Sequence, residues 1–320
     1  MRILVTGGAG FIGSNLVERL VRLGHDVRIL DNFSTGHRSN LLGFADEIDV
    51  VEGDVQSYER VHNAMRGCET VLHQAALPSV PRSIADPLTS HATNTTGTLN
   101  VLLAARDADV RRLVFASSSS VYGTAEGLRK AETMPTVPIS PYGTAKLAAE
   151  SYCRSFHEVY GLETVALRYF NVFGPRQDPA SEYAAVIPKF IAAFSEGRAP
   201  VIYGDGEQSR DFTYVDNIVD ANLAALDATG VAGRVYNAAC GERITLNDLA
   251  AELREQMEVG IEPEHGPARP GDIRHSLADI ERARTELGYE PQIGFSEGLR
   301  RTIPHLLGEA TALVSRGATQ

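Results

Sequence analysis

Short apolar runs alternate with amphipathic stretches over the first 170 residues of the chain. Arg2 to Thr6, Val27 to Leu30, Ile48 to Val51, Thr70 to His73, Leu113 to Ala116 and Glu163 to Arg168 are rich in Val, Leu and Ile. Their length and near-continuous apolar character predict buried strands. Ser14 to Gly24 and Thr95 to Arg106 carry the apolar spacing of helices. Strand and helix in alternation predict an α/β fold built on a parallel, doubly wound sheet. After Tyr169-Phe170-Asn171 the rhythm breaks. Ala184 to Glu196, Leu246 to Met257 and Leu277 to Leu287 then read as helices, and Val201 to Tyr203 and Val235 to Asn237 as short strands. This half is expected to form a smaller α/β lobe that closes over the sheet edge. The first domain is expected at 1–174, with a returning segment at about 212–240, and the lobe mainly at 175–320. No internal repeat, low-complexity run or flexible linker separates them.

The turns between these elements carry the chemistry. Gly7, Gly10 and Gly13 lie between the first strand and the first helix, the context in which a glycine motif has meaning. Gly7 suits a tight turn, Gly10 a close approach to a pyrophosphate, and Gly13 close helix packing. The helix N-terminus offers amides to the phosphates. Asp31 ends the second strand, where a carboxylate accepts from the ribose hydroxyls of NAD and repels the extra phosphate of NADP. Asp54 follows the third strand, facing the adenine edge or capping the next helix. Asn94 opens the helix at 95–106, again as a cap or a ligand.

Tyr142 is the only tyrosine with a lysine, Lys146, four positions later. On a helix the two share a face. A lysine charge there is expected to lower the phenol pKa and make Tyr142 an acid/base near neutral pH. Ser117-Ser118-Ser119-Ser120 ends the fifth strand and places hydroxyls on the same edge. Arg210 sits in a turn suited to a phosphate.

Composition narrows the class. A chain of 320 residues, 43% hydrophobic and 22% charged, is that of an ordinary globular protein with one or two domains. A net charge of −11 argues against nucleic acid and anionic membrane as partners. No run is long and apolar enough to span a bilayer, and the first strand begins too early for a signal peptide. Cys68, Cys153 and Cys240 have neither metal nor disulfide spacing, which suits a reducing cytoplasm and predicts no metal site.

With these residues in place, the chain resembles the extended short-chain dehydrogenases/reductases. Within them it is most similar to the UDP-hexose 4-epimerases of the UDP-glucose and UDP-N-acetylglucosamine type. The similarity runs from TGGAGFIG at 6–13 to RHSLADI at 274–280. It implies a Rossmann-like domain holding NAD through Gly7, Gly10, Phe11, Ile12, Gly13, Asp31, Asn32, Asp54, Val55, Asn94, Tyr142, Lys146 and Phe170. It implies a triad of Ser118, Tyr142 and Lys146. The substrate positions would be Ser118, Ser119, Asn171, Val186, Arg210, Arg269, Asp272 and Ser276, with Arg210 and Arg269 on the diphosphate. A UDP-sugar is the implied small-molecule partner, and a second copy of the chain, docked through helices at 95–106 and 142–159, the implied protein partner.

Departures from the family pattern refine the expectation. Ser119-Ser120 stands where dehydratases place Asp-Glu, which argues against 4,6-dehydration. Asp178 stands where glucuronate epimerases often place arginine, although Arg82 or Arg176 could substitute. Pro78 replaces a lysine that some epimerases use. Ser276 is small, and the resemblance makes this position the gate beside the sugar C2 substituent, so N-acetylhexosamines are admitted as well as plain hexoses. The rivals are a UDP-glucuronate epimerase, a decarboxylase or other net oxidoreductase of the superfamily, and a non-catalytic NAD-binding regulator or scaffold.

Overall fold

The computed structural model describes residues 1–178, 185–268 and 274–317. The chain runs β1 (Arg2–Thr6), α1 (Phe11–Arg22), β2 (Asp26–Asp31), β3 (Ile48–Glu52), α2 (Tyr58–Met65), β4 (Thr70–His73), α3 (Val80–Ala85), α4 (Pro87–His91), α5 (Gly97–Asp107), β5 (Arg112–Ser118), β6 (Arg129–Lys130), α6 (Pro141–Tyr160) and β7 (Glu163–Tyr169). Then come β8 (Val172–Phe173), α7 (Val186–Ser195), β9 (Val201–Tyr203), β10 (Ser209–Arg210), β11 (Thr213–Tyr214), α8 (Val215–Asp227) and β12 (Arg234–Ala238). The chain ends with β13 (Ile244–Thr245), α9 (Leu246–Gln256), β14 (Glu264–Gly266), β15 (Leu277–Ala278), α10 (Glu281–Leu287) and α11 (Phe295–Gly317).

Seven strands form one parallel sheet in the order β3-β2-β1-β4-β5-β7-β12. Both faces are covered, so the strands are apolar on both sides. Ile3, Val5, Val114, Val165 and Leu167 pack on the α1/α8 face. Leu4, Leu113, Phe115 and Ala166 pack on the α5/α6 face. The strand order reverses between β1 and β4, and ligands of such sheets lie at the carboxyl ends of the strands at that reversal. Gly7, Asp31, Gln74, Ser118 and Phe170 all sit at or just beyond those ends.

A second core gathers Phe173, Ile187, Phe190, Ile202, Phe212, Leu249, Leu253, Phe295 and Leu299, with Phe11 and Ile12 of α1 packed against it. The lobe therefore grips the glycine-loop end of α1. After β11 the chain returns to the sheet through α8 and β12, and Ala283, Leu287 and Tyr289 join the sheet-side core.

Several elements differ from the sequence expectation. Leu277 to Leu287 is not one helix. Leu277–Ala278 is a strand paired with β6, and the helix starts at Glu281. The tertiary partner decides this, since two residues carry no period to read. The first helix starts at Phe11, three residues early, because Gly10 is its N-cap. α5 is preceded by a π-turn at Ala92–Thr96. The helices α3, α4, α8 and α11 were not expected. No helix among the described residues is long and apolar enough to cross a membrane, and no group of three His, Cys, Asp or Glu there could hold a metal.

Candidate functional site

The glycine loop is built by close approach. A Cβ on Gly13 would lie 2.0 Å from the Gly7 carbonyl oxygen, so the first turn of α1 rests directly on the loop. Gly7 itself takes a positive φ of 69°. Gly10 caps α1 with no side-chain hydrogen bond, and the first intrahelical amide bond runs from Ser14 to Gly10. The amides before Ser14 thus point out of the helix end, where an anion is favoured. Phe11 and Ile12 turn their side chains into the second core, which leaves their backbone for such a ligand.

Asp31 is buried and accepts from Ala9 N at 2.9 Å and Phe33 N at 2.8 Å. Burial pushes its pKa up, and those two amide bonds pull against it. Each oxygen keeps a lone pair for a ribose hydroxyl. Asn32 donates to Asp54 at 2.7 Å. Asp54 is not a helix cap, because Ser57 caps α2. Arg38 lies 3.9 Å over the Phe33 ring and pairs with Glu52. A cradle closed to any side chain at Gly13, an open helix N-terminus and a ribose-type carboxylate together fit NAD.

Three cofactor-side expectations take a different form. Asn94 is not a cap: it lies inside the π-turn, fully buried, and its amide clasps Leu77 N at 2.8 Å and Leu77 O at 3.1 Å. It shapes the loop after β4. Val55 packs its side chain in the α5/α6 core and gives its carbonyl to Asn100. Phe170 is fully buried against Tyr122, and its amide donates to Ala238 O.

α6 carries the acid/base candidates. Ser140 caps it through Gly143 N and Pro141 takes its first position. A Cβ on Gly143 would meet the Ser120 carbonyl oxygen at 2.6 Å, so the helix end is pressed against the serine run. That contact sets Tyr142 beside Ser118, whose hydroxyl is close enough to lower the phenol's pKa. Ser83 of α3 accepts the Tyr142 amide at 3.1 Å. Ser118 also accepts Ser120 N at 3.1 Å.

The expected charge effect is absent in this geometry. Burial raises the Tyr142 pKa, and only the Ser118 hydroxyl lowers it. Lys146 donates to Ala116 O at 2.8 Å and stands 6.0 Å from the Tyr142 ring centre. The lysine is buried, and burial pulls its own pKa down to about 8. Proximity along the helix was legible; the price of desolvating both groups was not.

On the lobe side, Arg210 donates to the carbonyls of Ser209 at 2.9 Å and Arg274 at 3.4 Å. Ser276 N donates to Ser209 O at 3.1 Å, so Arg210 and Ser276 sit on adjoining segments. Asn171 has a φ of 31°, accepts from Thr213 N and donates to Asp211 O. Val186 opens α7. Arg269 and Asp272 lie outside the described residues. Arg176 pairs with Glu18 and Asn15 on α1, so it is not available to a sugar carboxylate. Asp178 faces His37 at 3.5 Å.

Residue patterns missed three buried groups. His73 bridges Thr6 at 2.6 Å and Thr98 at 3.0 Å. Asp211 is fully buried and takes the amides of Cys240, Gly241 and Ala278. Glu150 and Arg168 form an ion pair beneath the triad. An acid four residues beyond Lys146, and an arginine ending an apolar strand, were the available signals.

The model of the NAD dependent epimerase/dehydratase family matches residues 3–239. A UDP-glucose 4-epimerase of Mycolicibacterium smegmatis is 39% identical over 95% of this chain and 97% of its own length. A solved UDP-N-acetylglucosamine 4-epimerase from Methanobrevibacter ruminantium, in complex with UDP-N-acetylmuramic acid, is 41% identical with a TM-score of 0.92, covering 96% of this chain and 98% of its own. The Thermus thermophilus UDP-glucose 4-epimerase, solved with NAD, is 38% identical with a TM-score of 0.88, covering 96% and 99%. The glycine cradle, the strand-edge carboxylate and this likeness over nearly the whole length agree, and the chain belongs to the NAD dependent epimerase/dehydratase family.

Proposed function

We propose that this protein is an NAD-dependent UDP-sugar 4-epimerase. It inverts C4 of UDP-glucose/UDP-galactose, of UDP-N-acetylglucosamine/UDP-N-acetylgalactosamine, or of both pairs, through a transient 4-keto sugar. The observation that carries the reading is the placement of the Tyr142 hydroxyl beside Ser118 at the strand edge, with the Lys146 ammonium one helical turn away. NAD, held by the glycine loop and Asp31, supplies when bound a cationic hydride acceptor that returns the hydride within the same cycle. Tyr142 takes the proton of the C4 hydroxyl as hydride leaves, and Ser118 holds that hydroxyl in line. Lys146, 6.0 Å from the ring centre, leaves the phenol's pKa unmoved by itself, and is the cation left to support the phenolate once the site is filled. Arg210 sits where the diphosphate would be neutralised, so the nucleotide anchors a sugar that must turn over between the two hydride steps.

Ser119-Ser120 offers no acid/base pair for dehydration. Asp178, and the commitment of Arg176 to Glu18, weigh against UDP-glucuronate. Dimerisation through α5 and α6 is part of this reading. Tyr152, Val159 and Tyr160 are 38%, 69% and 50% exposed on α6, apolar side chains left for a second copy to cover. Light scattering at micromolar concentration checks it, and a monomer refutes it. Three free cysteines fit a reducing cytoplasm.

Proton NMR of the anomeric signals, with catalytic NAD, tests the activity on UDP-glucose, UDP-N-acetylglucosamine and UDP-glucuronate in parallel. Conversion of either of the first two supports the reading. Conversion of UDP-glucuronate alone overturns the sugar assignment, and no epimer from any of them overturns the activity.

A further inference from the structure

Glu150 lies one turn beyond Lys146 on α6 and is paired with Arg168 of β7. Both side chains are about 5% exposed. The pair is bidentate, at 2.9 Å from Arg168 Nε and 2.8 Å from Nη2. Ser117 donates its hydroxyl to the same carboxylate, and the Arg168 guanidinium lies 4.7 Å over the Tyr122 ring. Burying such a pair is a poor way to gain stability. An apolar pair of the same volume serves the fold as well or better. The pair therefore calls for another account, and its position supplies one.

The groups facing Lys146 are few. Its own helix presents Tyr142, Glu150 and Cys153. β4 presents His73, and β5 presents the Ala116 carbonyl and the Phe115 ring at 4.9 Å. Arg168 on β7 stands behind Glu150. His73 is neutral, pushed down to about 3 by burial and then by Lys146 itself. Burial lowers the ammonium's pKa, and Cys153 and Glu150 oppose it. The Cys153 thiol is itself pushed far above its usual range by burial, so it is uncharged where Lys146 titrates. Glu150 is the anion that remains.

We propose that Glu150 is a positioning residue for the proton-transfer pair. Its carboxylate keeps the Lys146 ammonium charged, and through the Ser117 hydroxyl it fixes the strand end that presents Ser118 to Tyr142. Arg168 holds the carboxylate in place from the other side. This inference rests on the roles given above to Tyr142 and Lys146.

The test uses the NAD-loaded protein with Lys146 read directly by carbon-13 NMR of lysine side chains, alongside the pH profile of kcat. In Glu150→Gln the Lys146 midpoint is expected to fall by about one pH unit or more. The alkaline limb of kcat moves with it, while KM for UDP-glucose changes less than about threefold. If Glu150→Gln leaves Arg168 unpaired and fails to fold, the double variant E150Q/R168M removes both charges and predicts a shift in the same direction, smaller because loss of the Arg168 cation opposes it. Ser117→Ala keeps the ion pair. It is expected to lower kcat about fivefold at every pH with the Lys146 midpoint unmoved. An unmoved Lys146 midpoint on removal of the carboxylate charge, or a kcat loss without movement of the limb, overturns the proposal. A wild type inactive on every UDP-sugar would sink the catalytic reading, and the Lys146 titration would still decide the role of Glu150.

Discussion

Tyr142 and Lys146 face each other at a cost, because both are desolvated and burial moves each toward its neutral form. A phenol held neutral in this way must gain its acidity only when a cation and a substrate oxygen are present. Tyr142→Phe removes the proton acceptor and leaves the packing. It should lower kcat by about 10²- to 10⁴-fold and leave the Kd for UDP, measured by calorimetry, within about twofold. Loss of binding in parallel with kcat would move Tyr142 from chemistry to anchoring. His73 makes a second prediction at this scale. Burial, then the Lys146 charge, lower its folded pKa to about 3 from an ordinary 6.5. Between those values the unfolded chain binds the proton and the folded chain does not. Its contribution to stability is therefore lost as pH falls from 6.5, by about 1.4 kcal/mol per unit. Asp211 runs the other way: burial raises it to about 6, opposed by bonds from Ala278, Cys240 and Gly241, so the folded state takes up that proton first. The gap in unfolding free energy between wild type and His73→Asn, from urea melts between pH 4.5 and 7, should narrow by about 1.4 kcal/mol per unit of acidification. A constant gap would mean that His73 is charged in the fold.

The position of α6 depends on what its first turn touches. Gly143 lets that turn close on Ser120, where a Cβ would stand 2.6 Å from the carbonyl oxygen. Gly143→Ala should push the helix end away from the serine run and break the Ser118–Tyr142 contact. The expected result is a fall in kcat of about 10²-fold, with NAD affinity by fluorescence titration held within about threefold, since the glycine loop lies on a different helix. Loss of NAD instead would show that α6 and the loop move as one body. Elements such as this were readable where the determinant was local. The glycine loop, the strand ends and the Tyr142–Lys146 spacing each announce themselves within a few residues. β6 and β15 are two residues each and exist only because Leu277 and Ala278 find Arg129 and Lys130 across some 150 positions. The helix expected over 277–287 failed for that reason. The Glu150–Arg168 pair was hidden differently: neither residue departs from what a helix face or a strand end tolerates, and only the fold brings them together.

At the scale of the whole molecule, the proposed function puts the reacting edge on the sheet and the substrate's far end on the lobe, so on this reading selectivity among sugars is a property of how the two meet. Ser276 sits one residue before β15, on a segment laid against β10 by the bond from its amide to Ser209 O. β15 is in turn tied to the sheet-side part of the chain through β6 and through Asp211, which accepts Ala278 N. A side chain at 276 is thus carried by a segment anchored at two points and cannot swing freely aside. On the proposed reading this position borders the sugar C2 substituent, where a serine admits an N-acetyl group and a tyrosine would fill the space. Ser276→Tyr should cut kcat/KM for UDP-N-acetylglucosamine by about 10²-fold while UDP-glucose turnover changes less than about threefold, a discrimination of about 3 kcal/mol. Parallel progress curves by proton NMR on the two sugars measure it. Equal loss on both would mean that residue 276 supports the lobe and does not select the sugar. Equal retention on both would place the C2 substituent against another wall of the site.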